Sequence, residues 1–434
     1  MQKKILSFLA LLLGIIIFTS CSAGKQTTEN GVVTVSLNGW GDPVERQLLQ
    51  QVLNNFEAKH PGIKVKYEVI ADQYMDVLNT RLIGQTAADI FYLDALAAPF
   101  LMSHGVLEPL DSYPNTEFDV ADFEPRLLNA FRQNGKTYGF PKDFSTLALF
   151  YNTKVWQAAG LSQRFAGDSS GDALPRAQPP QTWDELRESS KKLTVKQNRD
   201  GKIEQYGFGV IPELARQDFM IQAFGGELID RNGNAAFASF DSLKGLQLII
   251  EQYRQDKSSA IPSDVGTISG SEMFGQGKAA MVIEGPWLLP YLNATFPDIA
   301  YATAELPTVN DRKATMAYTV AYVMNQQSKH KPEAWQLISY LTGKEGMKAW
   351  TSKGFVLPTR KSVTAALGYD KNPLYSPFIA GAAYSTIWQA GENLPTIMNS
   401  FNNQFISAML GEQTLKSAMS KAQETANREI YLSS

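Results

Sequence analysis

Apolar and polar positions along the 434-residue chain follow three rhythms. The first is a block. Ile5 to Phe18 is almost unbroken apolar sequence, preceded by Lys3-Lys4 and followed by Thr19-Ser20-Cys21. A spanning helix needs ~20 apolar residues, so the block is short for one. A cationic start, an apolar core and small residues before a cut are the parts of a secretory signal peptide. The second rhythm is alternation. Ile63, Val65, Tyr67 and Val69 interleave with Lys64, Lys66 and Glu68, which predicts a strand with one buried face. The third is helical. Val44, Leu48, Leu49, Val52, Leu53 and Phe56 form one apolar stripe, with Asp42-Pro43 as cap and first residue and His60-Pro-Gly62 as the stop.

The rhythms alternate along the chain. Val32 to Leu37 predicts a first strand, Tyr74 to Ile83 a second helix, and Asp89 to Leu93 a third strand. Strand, helix, strand, helix, strand predicts a mostly parallel sheet with covering helices, hence an α/β fold. Further on, Leu147 to Tyr151 predicts a strand and Pro180 to Leu193 a helix capped by Thr182. Lys331 to Leu341 predicts an amphipathic helix, and Asn399 to Leu410 and Thr414 to Ile430 predict two final ones. Trp183, Trp335 and Trp350 lie inside helical patterns and are expected in the core. Ser22 to Asn30 is small and polar, as in a flexible tether. Ser162 to Gln181, rich in Gly, Ser, Pro and Ala, is expected to be a surface loop.

Composition narrows the function classes. The chain beyond the apolar block is too long for one ordinary core, so at least two domains are expected. Net charge is −3 with scattered Lys and Arg, which gives no nucleic-acid footprint. Cys21 is the single cysteine, so no intrachain disulfide can form. It stands where a bacterial lipoprotein signal places its lipidated cysteine, although Phe18 replaces the usual leucine three residues earlier. The chain is therefore expected to be exported and held to a membrane through Cys21. His60, His104 and His330 are far apart in sequence, so no His/Cys metal site is expected, and no cofactor.

Local motifs point away from catalysis. Asn198 to Glu204 lacks EF-hand acidic spacing and predicts a hairpin turn at Asp200-Gly201. Asp230 to Asn234 predicts another turn. Gly275-Gln-Gly-Lys278 is too short for a phosphate loop, and no G-x-S-x-G elbow occurs. Asp94, Asp143 and Glu284 could in principle serve as a glycosidase carboxylate pair. Loop aromatics suggest binding instead. Trp40 lies between glycines, Trp287 follows Glu284-Gly-Pro, and Trp388 lies between Tyr384 and Glu392. Flat rings suit the C–H face of a sugar, and carboxylates suit its hydroxyl rim. The alternative for each tryptophan is packing within a domain.

Several segments in order resemble the extracellular solute-binding proteins of sugar ABC transporters, in the group of the maltose- and trehalose-binding proteins. They are Phe56-Glu-Ala-Lys-His-Pro-Gly-Ile-Lys-Val65, Ala88-Asp-Ile-Phe-Tyr-Leu-Asp94, Gly135-Lys-Thr-Tyr-Gly-Phe-Pro-Lys-Asp143 with Leu149 to Thr153, Pro180 to Leu186, Phe274 to Met281 with Gly285-Pro-Trp287, and Gly354-Phe-Val-Leu-Pro-Thr-Arg360. The resemblance implies two hinged α/β lobes of the periplasmic-binding-protein fold (type II-like), each discontinuous in sequence, with the ligand between them. It implies a signal peptide at 1–20, a lipidated tether at 21–30, an N-terminal lobe from 31–141 plus 304–358, and a C-terminal lobe from 142–303 plus 359–434.

Matching positions carry over as expectations. Asp94 resembles a carboxylate that binds sugar hydroxyls. Asp143 to Ser145 falls where the second lobe reaches the ligand. Trp287 matches a stacking tryptophan and Arg360 a ligand-binding arginine. Tyr318 lies near the group's tryptophan after paired glycines, and Ala317-Tyr-Thr319 departs from that pattern. Asp42 and Glu45 both lie near a first-lobe carboxylate. The implied activity is capture of a small sugar and delivery to ABC permease subunits by a monomeric, non-enzymatic receptor. An α-linked disaccharide or related glucoside is the expected ligand. A binding protein for glycerol phosphate or an oligosaccharide, and an exported glycosidase, are the rivals. No ATP-binding motif is present, so transport energy would come from partner subunits.

Overall fold

The computed structural model describes residues 31–41, 43–163, 176–196, 203–391 and 393–433. The signal peptide, Cys21 and its tether, Asp42, the Asp200-Gly201 turn and Glu392 lie outside them.

Among the described residues, two six-stranded sheets share ten longer strands: β1 (Val33–Gly39), β2 (Ile63–Val69), β3 (Ile90–Asp94), β4 (Gly139–Thr146), β5 (Ala148–Asn152), β6 (Ile203–Gly209), β7 (Ala279–Glu284), β8 (Tyr301–Ala304), β9 (Thr315–Met324) and β10 (Ser385–Ile387). The first sheet runs β2-β1-β3-β9, with β4 and β10 also paired to β9. β1 is parallel to β2 and β3, whereas β9 is antiparallel to β3 and β4. The second sheet runs β6-β7-β5-β8, with β6 and β7 parallel and β5 antiparallel to both neighbours. Two-residue strands Val195–Lys196 and Ser259–Ala260 flank β6.

Each sheet has its own core. In the first lobe, helix Pro43–Lys59 buries Leu49, Val52, Leu53 and Phe56. Val44, which opens the apolar stripe, is instead exposed. In the second lobe, Trp183, Phe208 and Phe219 pack with Phe401 and Phe405 from helix Leu394–Leu410. Thr182 caps helix Trp183–Leu193, its hydroxyl accepting from Glu185 N at 3.2 Å. Trp183 and Trp350 are buried, and Trp335 is half-buried against Phe118 and Phe140.

The lobe boundaries differ from the expected ones. β4 stays in the first sheet through Thr146, so the first crossing lies at Leu147 rather than after residue 141. The segment from 359 is not all second lobe either. Val363 packs in the first-lobe core, and β10 extends the first sheet beside Thr315 to Ala317 of β9. Hydrogen-bond pairing with a strand far away in sequence decides these memberships, and no local pattern encodes it. Among the described residues, no helix is long and apolar enough to cross a membrane.

Candidate functional site

In open α/β sheets, ligands bind outside the carboxyl ends of the strands. In the first lobe those ends carry Trp40, after β1, and Asp94, which closes β3. Trp40 is half-buried, edge-on to Tyr74 (ring centroids 4.6 Å apart) and to Tyr92 (5.2 Å). Gly39 permits this packing, because a β-carbon there would lie 2.8 Å from the Tyr92 ring. Asp94 Oδ1 accepts from Ala97 N at 2.8 Å. Burial raises the Asp94 carboxyl above its usual value, and the Ala97 bond only partly opposes this. Tyr74 and Tyr318 both feel the Asp94 charge, with burial the main cause of their raised phenols.

Tyr318 comes from β9, opposite Ser145 of β4. It is the link between lobes. It belongs to the first sheet, yet packs against the second-lobe core and feels Arg216, Glu213 and Glu284 of that lobe. Those charges sit at the ends of second-lobe elements. Arg216 lies on helix Leu214–Ala223, just beyond the carboxyl end of β6, and Glu284 closes β7. Arg216 Nη2 donates to Glu284 Oε2 at 2.9 Å, and Nη1 donates to the Ile283 carbonyl at 3.2 Å. Trp287 Nε1 donates to the same Glu284 oxygen at 3.2 Å, and its ring centroid is 5.3 Å from the guanidinium carbon. Burial works against the charge on Arg216, and Glu284, Tyr318 and Glu213 together more than offset it.

The structure thus places Trp40 and Asp94 at first-lobe strand ends and packs Tyr318 and Trp287 against the second-lobe core, with Ser145 buried on the strand beside Tyr318. Glu45 lies on the first turn of helix Pro43–Lys59, half-buried beside Gly41, where its charge reaches Tyr67. Tyr67's phenol is pushed up to about 12, by burial first and then by Glu45.

Three expected ligand residues point elsewhere. Arg360 is 1% exposed and holds first-lobe carbonyls of Phe118, Asp119 and Thr342. Asp143 is turned into the first lobe, where Oδ2 accepts from Trp350 Nε1 at 2.7 Å and pairs with Lys142. Lys142 Nζ is itself 4.0 Å from the Trp350 ring centroid and 4.7 Å from that of Tyr92. Trp388 is buried in the second-lobe core. Each is a polar or aromatic residue consumed by packing from remote segments.

Tyr74 and Arg216 went unread. For Arg216 a usable signal exists: Ile211-Pro-Glu213 starts a helix immediately after a strand, which places the next turn at a carboxyl edge. Among the described residues, no cluster of three or more His, Cys, Asp or Glu could hold a metal ion.

A two-lobed α/β body with half-sites facing across a hinge leaves several solute classes open, and comparison with known proteins narrows them. The family profile described as bacterial extracellular solute-binding protein matches residues 40–348. The chain belongs to this family. The galactooligosaccharide-binding protein of Bacillus subtilis is 22% identical over 432 residues, covering 94% of this chain and 92% of that one. Among solved structures, an ABC transporter solute-binding protein from Thermotoga lettingae bound with α-D-tagatose is 26% identical, with TM-score 0.73 over 91% of this chain and 99% of that one. An ABC substrate-binding protein from Listeria monocytogenes in complex with cycloalternan reaches TM-score 0.77 at 20% identity, over 92% and 99% of the two chains. These relatives are binding proteins, not enzymes. The two-lobe α/β fold is the family's.

Proposed function

We propose that this solute-binding protein captures a neutral sugar between its lobes and delivers it to the permease subunits of an ABC importer. One observation carries the reading. Tyr318 of the first lobe lies within electrostatic reach both of Asp94 and of Arg216 and Glu284 in the second, and the Trp287–Arg216–Glu284 group supplies hydroxyl acceptors and donors beside an aromatic face. Ionised partners make strong hydrogen bonds to neutral hydroxyls, and the ring face takes the C–H side of a sugar. The galactooligosaccharide-binding relative and the tagatose complex support the ligand class. An α-linked disaccharide or related glucoside, such as trehalose, maltose, sucrose or glucosylglycerol, fits two half-sites. A ligand bridging both lobes stabilises the closed form by its differential affinity for it. Export and a lipid anchor at Cys21, with a monomeric body, complete the reading.

A thermal-shift panel of these sugars, with glycerol phosphate as the charged control, tests it. A bound sugar raises the melting temperature by mass action. Asp94→Ala is expected to weaken the responding sugar by about 1.5–3 kcal/mol, the range for a hydrogen bond to a charged group. Trp287→Ala weakens binding too. It also costs about 1–2 kcal/mol of ligand-free stability, because the partly buried ring packs against two core clusters. A response to glycerol phosphate alone, or release of monosaccharide that disappears in Asp94→Ala, would refute the reading.

A further inference from the structure

The Arg216–Glu284 pair bears on which sugars the site accepts, granted the sugar-capturing reading above. Glu284 is buried, and two donors, Arg216 Nη2 and Trp287 Nε1, converge on its Oε2. Gly270 makes room for its other oxygen, since a β-carbon there would stand 2.7 Å from Oε1. Gly285 makes room for the Trp287 ring, which a β-carbon would approach to 2.1 Å. The carboxylate, the ring and the guanidinium are therefore held as one unit. Arg216 Nε is buried within it and makes no hydrogen bond, with the nearest Glu213 oxygen at 3.9 Å.

A guanidinium is ordinarily the best receptor for a carboxylate, because its donors match both oxygens. Here two of its three nitrogens are committed, one of them to an anion. A ligand carboxylate arriving at the exposed part of the guanidinium would lie beside Glu284 in a partly dry site, where like charges repel strongly. A neutral hydroxyl or ring oxygen meets no such repulsion. We propose that Glu284 is a specificity-determining residue: as the internal counter-ion of Arg216, it reserves this half-site for neutral saccharides and excludes those bearing a uronic acid.

The test is calorimetric titration of the wild-type protein and Glu284→Gln with maltose, trehalose and sucrose, and with the 6-carboxylate (uronic acid) forms of the same disaccharides. Wild type is expected to favour a neutral sugar over its acidic form by about tenfold or more. Glu284→Gln is expected to move that ratio toward the acid by about tenfold, chiefly by gaining acid affinity. A merely structural role for Glu284 would weaken both forms alike and leave the ratio unchanged, which would overturn the proposal. So would a wild type that prefers the acid. If Glu284→Gln does not fold, the charge-free pair Arg216→Met/Glu284→Met decides. With the repelling carboxylate gone, its preference for the neutral over the acidic sugar is expected to fall by about tenfold, and a preference as large as that of the wild type would show that the pair does not set the selectivity. A wild type that binds none of the six sugars defeats the sugar-capturing reading itself. An unchanged ratio defeats only the role of Glu284.

Discussion

Arg360→Met is expected to lower the ligand-free stability of the first lobe by about 3–5 kcal/mol, the cost of breaking a buried, hydrogen-bonded ion pair. The affinity of the folded protein for its solute is expected to change by less than about threefold, since no ligand contact is lost. Arg360 Nε donates to the Thr342 carbonyl at 2.6 Å, Nη1 to the Asp119 carbonyl at 2.9 Å, and Nη2 to the Phe118 carbonyl at 2.7 Å. Nη1 also lies 3.4 Å from Asp122 Oδ2. The guanidinium carbon is 4.0 Å from the Phe123 ring centroid and 4.8 Å from that of Phe118. Burial pulls the arginine below its usual value, and Asp122 opposes that pull. Methionine fills some of the volume but leaves three carbonyls without their donor and Asp122 without its cation. Each buried group left unsatisfied costs about 1–3 kcal/mol. Lysine is not expected to rescue, because one ammonium cannot span three carbonyls fixed around a planar fork. Urea denaturation gives the stability, and titration of the remaining folded protein gives the affinity. An unchanged denaturation midpoint with binding lost would mean that Arg360 faces the ligand after all.

The same residue shows where sequence reading stops. Helices Tyr74–Ile83 and Lys331–Leu341 match the apolar spacing to the residue, because their signals lie within a turn or two of each other. The ends of β1 and β3 were legible to within two residues for the same reason, and with them the places of Trp40 and Asp94. Whether an arginine's donors are free is a different kind of fact. It depends on carbonyls at 118, 119 and 342, which only the folded chain assembles. Asp143 repeats the point, since Trp350, which holds it, is 207 residues away. Arg216 escaped because its helix is buried on most sides, so no polar stripe marks a face. Pairing across β9 likewise decides that β4 and β10 belong to the first lobe, and register between distant strands leaves no local trace.

Asp218→Asn is expected to make the protein more stable at pH 8 and to change little at pH 5. Asp218 lies on helix Leu214–Ala223 and is 2% exposed. Its Oδ2 accepts from Gln222 Nε2, and its Oδ1 has no hydrogen-bond partner among the described residues. Gln222 in turn accepts from Thr386 Oγ1 at 2.8 Å, so the carboxylate's one neighbour is tied to a strand of the first sheet. Among the described residues, no cation compensates Asp218. Helix Leu394–Leu410 and β9, which pack on its helix, contain no charged residue. Helix Phe240–Arg254 also packs there. It spends Asp241 and Lys244 on each other and Glu251 on Arg187, and Arg254 lies against Gly411. On Asp218's own helix, Arg216 is paired with Glu284 and Glu213 is exposed at the start. Arg312 reaches the Gln222 carbonyl only at 3.5 Å. Burial therefore pushes the Asp218 carboxyl up to about 7 from its ordinary 3.8, with Gln222 pulling back weakly. The sign follows. Between those values the folded state keeps a proton that the unfolded chain has released, so stability falls as pH rises through that window. At 1.36 kcal/mol per unit, the ionised form carries a burden of about 4 kcal/mol above pH 7. Asparagine removes the charge but buries an amide N–H₂ that costs about 1–3 kcal/mol, which leaves a net gain of about 2 kcal/mol at pH 8. Asp122 and Asp256, held below their usual values, act in the opposite sense and withdraw their stabilisation only at lower pH. Urea titrations of both proteins at pH 5, 6, 7 and 8 measure the difference. A gain that is the same at every pH would show that Asp218 is ionised in the folded state across the whole range, as it is in the unfolded chain.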